Sequence, residues 1–224
     1  MEEEFKNIAK EIACKLRMLL NKKWDGKTAI LEMKNNGYNQ WSQMEWIGWY
    51  FQFLCERNLS ALMEIPGNSY GNVTFDAFKK VPWDFKSHIK NDQDGKEQTV
   101  IIINDKAAID NAIKQYGYIG LIIAVGYAEW NDTNRTFQKW VEELKGGKSE
   151  YEEERIERGA PSRLRKVSFN LNDILFVKIS NRELGKLRIY RQGRNSNGNM
   201  RMPKYELDLK DINSFEHYSC FELC

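Results

Sequence analysis

The sequence predicts an α/β (α+β) fold in which helices flank a mixed central β-sheet. Two helical patterns come first, strands follow, and helices and strands then alternate, an order typical of a mixed sheet. Residues 118–127 are apolar almost without interruption, which is typical of a central strand covered on both faces. The chain of 224 residues is long enough for one sizeable core, so we expect a single domain over residues 1–224.

The first predicted element is an amphipathic helix over residues 2–20. Its apolar residues recur at helical spacing: Phe5, Ile8, Ile12, Leu16 and Leu19. A polar connector is expected next, because Trp24-Asp25-Gly26 and Asn35-Asn36-Gly37 are typical turn sequences.

A second helix is predicted over roughly residues 43–58. Ser42 precedes this helix and Glu45 follows three residues later, as in a capping box. Its many aromatic side chains favour burial on most sides: Trp46, Trp49, Tyr50, Phe51 and Phe53. Its polar positions fall near one another at helical spacing: Glu45, Gly48, Gln52 and Glu56.

Strands and helices alternate in the rest of the chain. Residues 70–77 and 81–89 are predicted strands that a short turn at Lys79-Lys80 joins into a hairpin over 70–89. The remaining predictions are strands over 99–103, 118–127 and near 174–179, 186–191 and 204–209, and helices over 106–116 and 133–145. Residues 146–166 combine glycines, an acidic run and arginines, and form either a surface helix with a flexible exit or an insertion.

Composition excludes several classes of protein. No apolar stretch approaches the roughly 18 residues that a membrane-spanning helix needs. The acidic, amphipathic N-terminal segment differs from a signal peptide, so we expect a cytoplasmic location. The cysteines form no CxxC pair, which favours reduced, unpaired thiols over a zinc site: Cys14, Cys55, Cys220 and Cys224. There is neither a Walker A loop nor a dinucleotide-binding fingerprint.

Positive charge is concentrated towards the C-terminus. Residues 155–210 contain 14 Lys and Arg against 5 Asp and Glu, whereas the rest of the chain contains 20 against 27. This asymmetry favours a polyanionic partner for one surface, although a solvated basic face has the same composition.

Charged side chains converge in the hairpin over 70–89. Because alternate strand residues share a face, Asp84, Lys86 and His88 project together, and Trp83 and Phe85 point to the opposite face. We expect the turn to bring the preceding strand, with Asn72, Thr74 and Asp76 on one face, close to these residues.

Two carboxylates and an ammonium on one patch suit phosphodiester hydrolysis. Mg²⁺ prefers carboxylate oxygens and lowers the pKa of a bound water. Lys86 can hold or deprotonate the attacking water and offset negative charge in the transition state. A solvated strand face with an incidental ion pair has the same pattern. His88 either contacts a phosphate or water in the site or is a surface histidine.

The stretch Asp76 … Asp84-Phe85-Lys86 resembles the signature of the PD-(D/E)XK nucleases, with Phe75 in place of the proline. The resemblance implies a restriction-endonuclease-like core, metal binding by Asp76 and Asp84, and assistance of the water nucleophile by Lys86. A glutamate on the helix before the hairpin often completes the metal site in this superfamily, which implies that role for Glu45. An acid that favours the helix dipole would occupy the same position.

A basic segment near the C-terminus predicts a second hairpin, over 186–209. Arginine can bind guanine edges, asparagine or glutamine can bind adenine edges, and lysine can bind phosphates. The candidate DNA contacts are Arg191, Gln192, Arg194, Asn195, Asn197, Arg201 and Lys204. A flexible polar hairpin tip has the same composition. The stretch Gln-Gly-Arg-Asn-Ser-Asn-Gly also resembles a segment of type II restriction endonucleases.

These observations together predict a Mg²⁺-dependent, sequence-specific endonuclease for double-stranded DNA, of the type II restriction class. We expect a homodimer, because a small enzyme that cuts both strands of a palindrome suits twofold symmetry. A cognate methyltransferase is expected only as a separate protein. Two alternatives stay open, a structure-selective repair or junction nuclease and a DNA-binding protein without catalytic activity.

Overall fold

The computed structural model describes residues 2–131, 134–148, 150–160, 164–194 and 198–223. Its α-helices are α1 (Glu2–Leu16), α2 (Gly26–Asn35), α3 (Trp46–Leu59), α4 (Lys106–Tyr116), α5 (Thr136–Lys145), α6 (Glu150–Glu157), α7 (Asn181–Leu184) and α8 (Cys220–Leu223). Short 3₁₀ helices cover Arg17–Leu19, Asn39–Ser42 and Leu209–Ser214. Its strands are β1 (Lys23–Asp25), β2 (Ser69–Tyr70), β3 (Val73–Thr74), β4 (Ala77–Lys79), β5 (Val81–Ile89), β6 (Val100–Asp105), β7 (Tyr118–Trp130), β8 (Lys166–Ser180), β9 (Arg188–Tyr190), β10 (Lys204–Asp208) and β11 (His217–Ser219).

The largest sheet is mixed and six-stranded. Its strands follow the order β1-β8-β7-β5-β4, and β11 also pairs with β8. The β5–β7 pair is parallel, whereas β8 and β4 pair with their neighbours in antiparallel fashion. β7 lies between β5 and β8 and is buried along most of its length, which explains its continuous apolar sequence. The predicted mixed sheet with flanking helices is thus confirmed.

Each face of this sheet packs against its own hydrophobic core. The first core joins one face to α1, α2 and α3, and it contains Trp83, Phe85 and Ile122. The second core joins the other face to α4 and to a separate three-stranded sheet of order β6-β10-β9. Leu121 and Ile123 belong to this second core. Alternate residues of the central strands therefore enter different cores.

The predicted polar connector after α1 is wrong, because it contains α2. Asp25 begins this helix, since its carboxylate accepts a hydrogen bond from the backbone N–H of Thr28 at 2.9 Å. The helix then buries Ala29, Ile30 and Met33 in the first core. The turn-like residues at its two ends are the boundaries of a helix and not parts of a loop.

Two further boundaries differ from the predictions. The aromatic helix α3 begins at Trp46, and Glu45 is its N-cap residue without a side-chain capping bond, so the predicted capping box is absent. Strand β8 begins at Lys166, well before residue 174, and pairs with β7 along most of its length. Within the described ranges, no helix is both long enough and apolar enough to cross a membrane.

Candidate active site

The predicted catalytic hairpin forms between β4 and β5. Its antiparallel pairs run from Lys79 opposite Val81 to Ala77 opposite Trp83. Beyond that pair the backbone ladder ends, and the carboxylate of Asp76 takes over by accepting a hydrogen bond from the backbone N–H of Phe85 at 2.6 Å. This bond fixes Asp76 beside the middle of β5.

The strand predicted over 70–77 is interrupted. Ser69 pairs with Thr74 in a tight β2–β3 hairpin, and Gly71 adopts a positive φ of 61° in its turn. Only Gly tolerates this conformation without a steric cost. The extended strand needed for a common face of Asn72, Thr74 and Asp76 is therefore absent, because Asn72 lies in this turn and β3 ends at Thr74, before Asp76.

The alternation predicted for β5 is confirmed. Asp84 lies opposite Leu121 and Lys86 lies opposite Ile123 in the parallel β5–β7 pairing. Since both of these β7 residues belong to the second core, Asp84 and Lys86 project from that face of the sheet. Trp83 anchors the strand in the first core on the other face.

Asp84 and Lys86 form a shielded ion pair. The ammonium Nζ of Lys86 lies 2.7 Å from Oδ2 of Asp84, and the exposed fractions of the two side chains are 24% and 3%. This carboxylate oxygen accepts no hydrogen bond from another group in the described part of the chain. We call Asp76, Asp84 and Lys86 the carboxylate corner.

Electrostatics within the carboxylate corner favour a protonated Asp76 beside a charged Lys86. Burial, together with the negative charge of Asp84, raises the pKa of Asp76 to about 8, although Lys86 opposes this rise. Burial disfavours the Lys86 ammonium, but the two carboxylates outweigh that effect and raise its pKa. At neutral pH, Lys86 is therefore a cation and Asp76 is largely protonated.

Glu45, predicted as a third ligand, does not join the carboxylate corner. It lies at the N-terminal end of α3, 61% exposed, in an ion pair with Lys166. The middle of β5 faces the early part of α3, since a Cβ added to Gly48 would lie 3.3 Å from the Ser87 hydroxyl. Further along the helix, burial raises the pKa of Cys55, and the negative charge of Asp76 raises it further. Glu45 thus lies at the N-terminal end of α3, away from the end nearer to Asp76.

Glu56 is the acidic residue of α3 that lies on the Asp76 side. Its carboxylate accepts hydrogen bonds from the Tyr38 hydroxyl at 3.3 Å and from the Gln52 amide at 3.0 Å. Burial raises the pKa of Tyr38, and the negative charges of Glu56 and Asp76 raise it further. Glu56 was among the polar positions of the predicted helix, but helical spacing alone could not rank Glu56 above Glu45 as the acid near Asp76.

The donor set of the carboxylate corner fits a hard divalent cation. A cation would relieve the repulsion between Asp76 and Asp84, and Mg²⁺ is commonly held by one or two carboxylates with water and phosphate completing its coordination. Among the described residues, no group of three or more His, Cys, Asp or Glu side chains is close enough to form a metal site. Asp76 and Asp84 are therefore the two candidate protein ligands.

The predicted DNA contact by His88 receives no support from its position. His88 is 5% exposed, and its Nε2 lies 2.8 Å from the carbonyl oxygen of Gln98. Burial lowers its pKa, so the ring is neutral at pH 7. The side chain instead ties β5 to the segment that leads into β6.

The remaining predicted contacts lie in a second region, on the predicted hairpin of β9 and β10. We call its described residues 188–194 and 198–204 the basic arm. Arg191 and Arg201 are exposed, and the Nη1 of the exposed Arg194 donates to the Gly198 carbonyl at 2.8 Å. Nζ of Lys204 is 3.7 Å from Oδ1 of Asp105.

Gln192, Asn195 and Asn197 are the three other predicted contacts of the arm. The side-chain amide nitrogen of Gln192 donates to the Met202 carbonyl at 3.0 Å. Asn195 and Asn197 lie outside the described residues. The predicted site residues thus divide into the carboxylate corner on the large sheet and the basic arm on the three-stranded sheet.

Comparison with known proteins adds no relative to this description. No protein-family model, no curated protein and no solved structure matches the chain.

Proposed function

We propose that this protein is a Mg²⁺-dependent endonuclease of the PD-(D/E)XK kind that cuts double-stranded DNA at specific sequences, as type II restriction enzymes do. The observation that carries the proposal is the carboxylate corner, where two acids and one ammonium converge on a fixed hairpin. The basic arm supports DNA as the substrate, because arginines suit both phosphates and guanine edges.

Each residue of the carboxylate corner has a distinct role in this proposal. Asp76 and Asp84 would hold the cation, and Asp76 would release its proton to solvent on binding it. Bound Mg²⁺ supplies polarisation of the phosphoryl group and a lower pKa for a coordinated water. Lys86 is charged, so it orients the attacking water and stabilises negative charge in the transition state and does not act as its base.

The direct test is digestion of a sequenced plasmid with Mg²⁺, followed by run-off sequencing of the ends. A set of discrete fragments with one common sequence at their ends is the expected result. Nicking, or preference for branched DNA, would instead support a structure-selective nuclease. Salt-sensitive binding without any cleavage would support a DNA-binding protein without catalytic activity.

We also propose that two copies act together on a palindromic site, since one carboxylate corner cuts one strand. Sedimentation of the protein with a duplex that contains its site measures this directly. Two chains per duplex are expected, and one chain per duplex with both strands cut in a single encounter would contradict the dimer.

A further inference from the structure

Large apolar side chains are exposed on the basic arm in addition to its cations. The exposed fractions of Tyr190, Met200 and Met202 are 40%, 59% and 55%. Side chains of this kind contribute little to a core, and a group of them on a projecting element is typical of a contact surface.

The pairing of the arm places these side chains on one face. Tyr190 lies opposite Lys204, and Arg194 forms a bridge with Met200. Between these pairs, the backbone N–H of Arg201 donates to the Gly193 carbonyl at 3.1 Å, so the antiparallel register continues along the arm. Because alternate residues share a face, the two methionines lie beside Tyr190 with cations at both ends of the row.

Charge decides which partner suits this face. From Arg188 to Lys204 the sequence contains five Lys and Arg residues and no Asp or Glu. The same arm on a second copy of the chain would be repelled, and an uncharged apolar partner would leave the cations without compensation. Duplex DNA offers phosphates for the cations and the flat apolar faces of bases for the methionines.

We infer that Met200 and Met202 enter a groove of the DNA and wedge apart a base step, while the neighbouring cations hold the phosphates. Apolar wedges such as Met unstack base pairs and kink the duplex when they insert between them. The unstacking is a separate step from phosphate binding, so it can be lost while binding is kept. This inference rests on the proposed function in one respect, that duplex DNA is the partner.

The test needs no knowledge of the recognition sequence. A relaxed closed-circular plasmid is incubated with the protein in EDTA, which prevents metal-dependent cleavage, and with a type I topoisomerase that needs no metal. Wedging unwinds the bound DNA, so after removal of the protein the plasmid has a changed linking number, visible as shifted topoisomers. Binding to the same plasmid is measured in parallel.

The decisive variant is the double substitution Met200→Ala and Met202→Ala. Both side chains are exposed, so the fold and the cations are unaffected, and binding should stay within about threefold of the wild type. The topoisomer shift should disappear. Met18→Ala is the matched control, since Met18 is 60% exposed on a 3₁₀ helix far along the chain from the arm and should leave the shift unchanged.

The outcomes separate this inference from the proposed function. A wild-type shift that the double variant loses while it still binds supports the wedge. Binding without any wild-type shift, or a shift that survives in the double variant, overturns the wedge and leaves the nuclease proposal standing. A wild-type protein that does not bind DNA overturns both.

Discussion

The carboxylate corner and the basic arm are opposite in their exposure to water. In the corner, the side chain of Asp84 is 3% exposed, and its carboxylate forms an ion pair with the ammonium of Lys86. On the arm, Arg188 is 56% exposed even though it pairs with Asp208 at 2.9 Å. Charges interact strongly where water is excluded and weakly where it is present, so the same residue types have different consequences in the two regions.

This contrast predicts a division of labour. The corner should determine chemistry, because its shielded charges set pKa values and hold the cation of the proposed function. The arm should determine affinity, because exposed cations exchange counterions with DNA and are screened by salt. Substitutions in each region test whether the two roles can be separated.

The largest expected effect is loss of cleavage on substitution in the corner. Asp84→Asn or Lys86→Ala should each lower the cleavage rate by about 10³-fold or more, since each removes a charge that acts in the transition state. DNA binding in Ca²⁺ or EDTA should persist. Asp94→Asn, in an exposed loop after β5, is the control. Cleavage near the wild-type rate by either corner variant would remove the assignment.

The next effect distinguishes the two acids of α3. Glu56→Gln should lower cleavage by about 10-fold and raise the Mg²⁺ concentration needed, since the charges of Glu56 and Asp76 both act on the Tyr38 hydroxyl. Glu45→Gln at the other end of the helix should leave cleavage almost unchanged. Titration of cleavage against Mg²⁺ measures both variants, and equal effects of the two would contradict the position that we assign to the site.

The arm should respond in affinity and salt dependence. The double substitution Arg191→Gln and Arg194→Gln should reduce the slope of log affinity against log salt by about two, one per lost phosphate contact. Cleavage at saturating DNA should change little. Arg182→Gln is the matched control, because its side chain is 82% exposed and lies outside the arm. An unchanged salt slope would exclude these two arginines from the DNA interface.

The smallest effect concerns the stability of the metal-free protein. The pKa of Asp76 in the folded state, about 8, is above its usual value of 3.8, so between these values the folded state binds more protons than the unfolded state. The contribution of Asp76 to the free energy of unfolding is therefore full at low pH and is lost as pH rises towards 8, by at most about 1.4 kcal/mol per pH unit.

Urea unfolding in EDTA from pH 6.5 to 8.5 measures this contribution as the difference between the wild type and Asp76→Asn, which retains an oxygen for the Phe85 N–H. His88 is present in both proteins, so its own titration cancels in this difference. Added Mg²⁺ should offset the wild-type loss at high pH. Parallel pH profiles for the two proteins would show that Asp76 is already ionised.

Local patterns were sufficient to predict the elements whose signal lies within a few neighbouring residues. The alternation around Asp84 and Lys86 predicted their common face, because a strand has a fixed period of two. The helix over 106–116 and the apolar strand from 118 were also confirmed. Of the hairpin predicted over 70–89, the part next to the turn formed, as β4 and β5, because its short turn leaves few other pairings.

Other features depended on contacts between distant parts of the chain. The residues at the two ends of α2 are of types that also form loops. Burial of Met33 in the first core favours the helix between them. The length of β8 is set by its pairing with β7. This pairing supplies backbone hydrogen bonds to the first half of β8, where polar and apolar residues are mixed.

The sequence by itself determined the carboxylate corner, since Asp76, Asp84 and Lys86 lie within one hairpin and local geometry brings them together. Only the tertiary structure decided between Glu45 and Glu56, because both lie at polar positions of the same helix. The direction in which α3 packs across β5 selects its C-terminal end for the Asp76 side. That direction comes from the first core, where side chains from the N-terminal helices, the large sheet and the C-terminal end must pack at once.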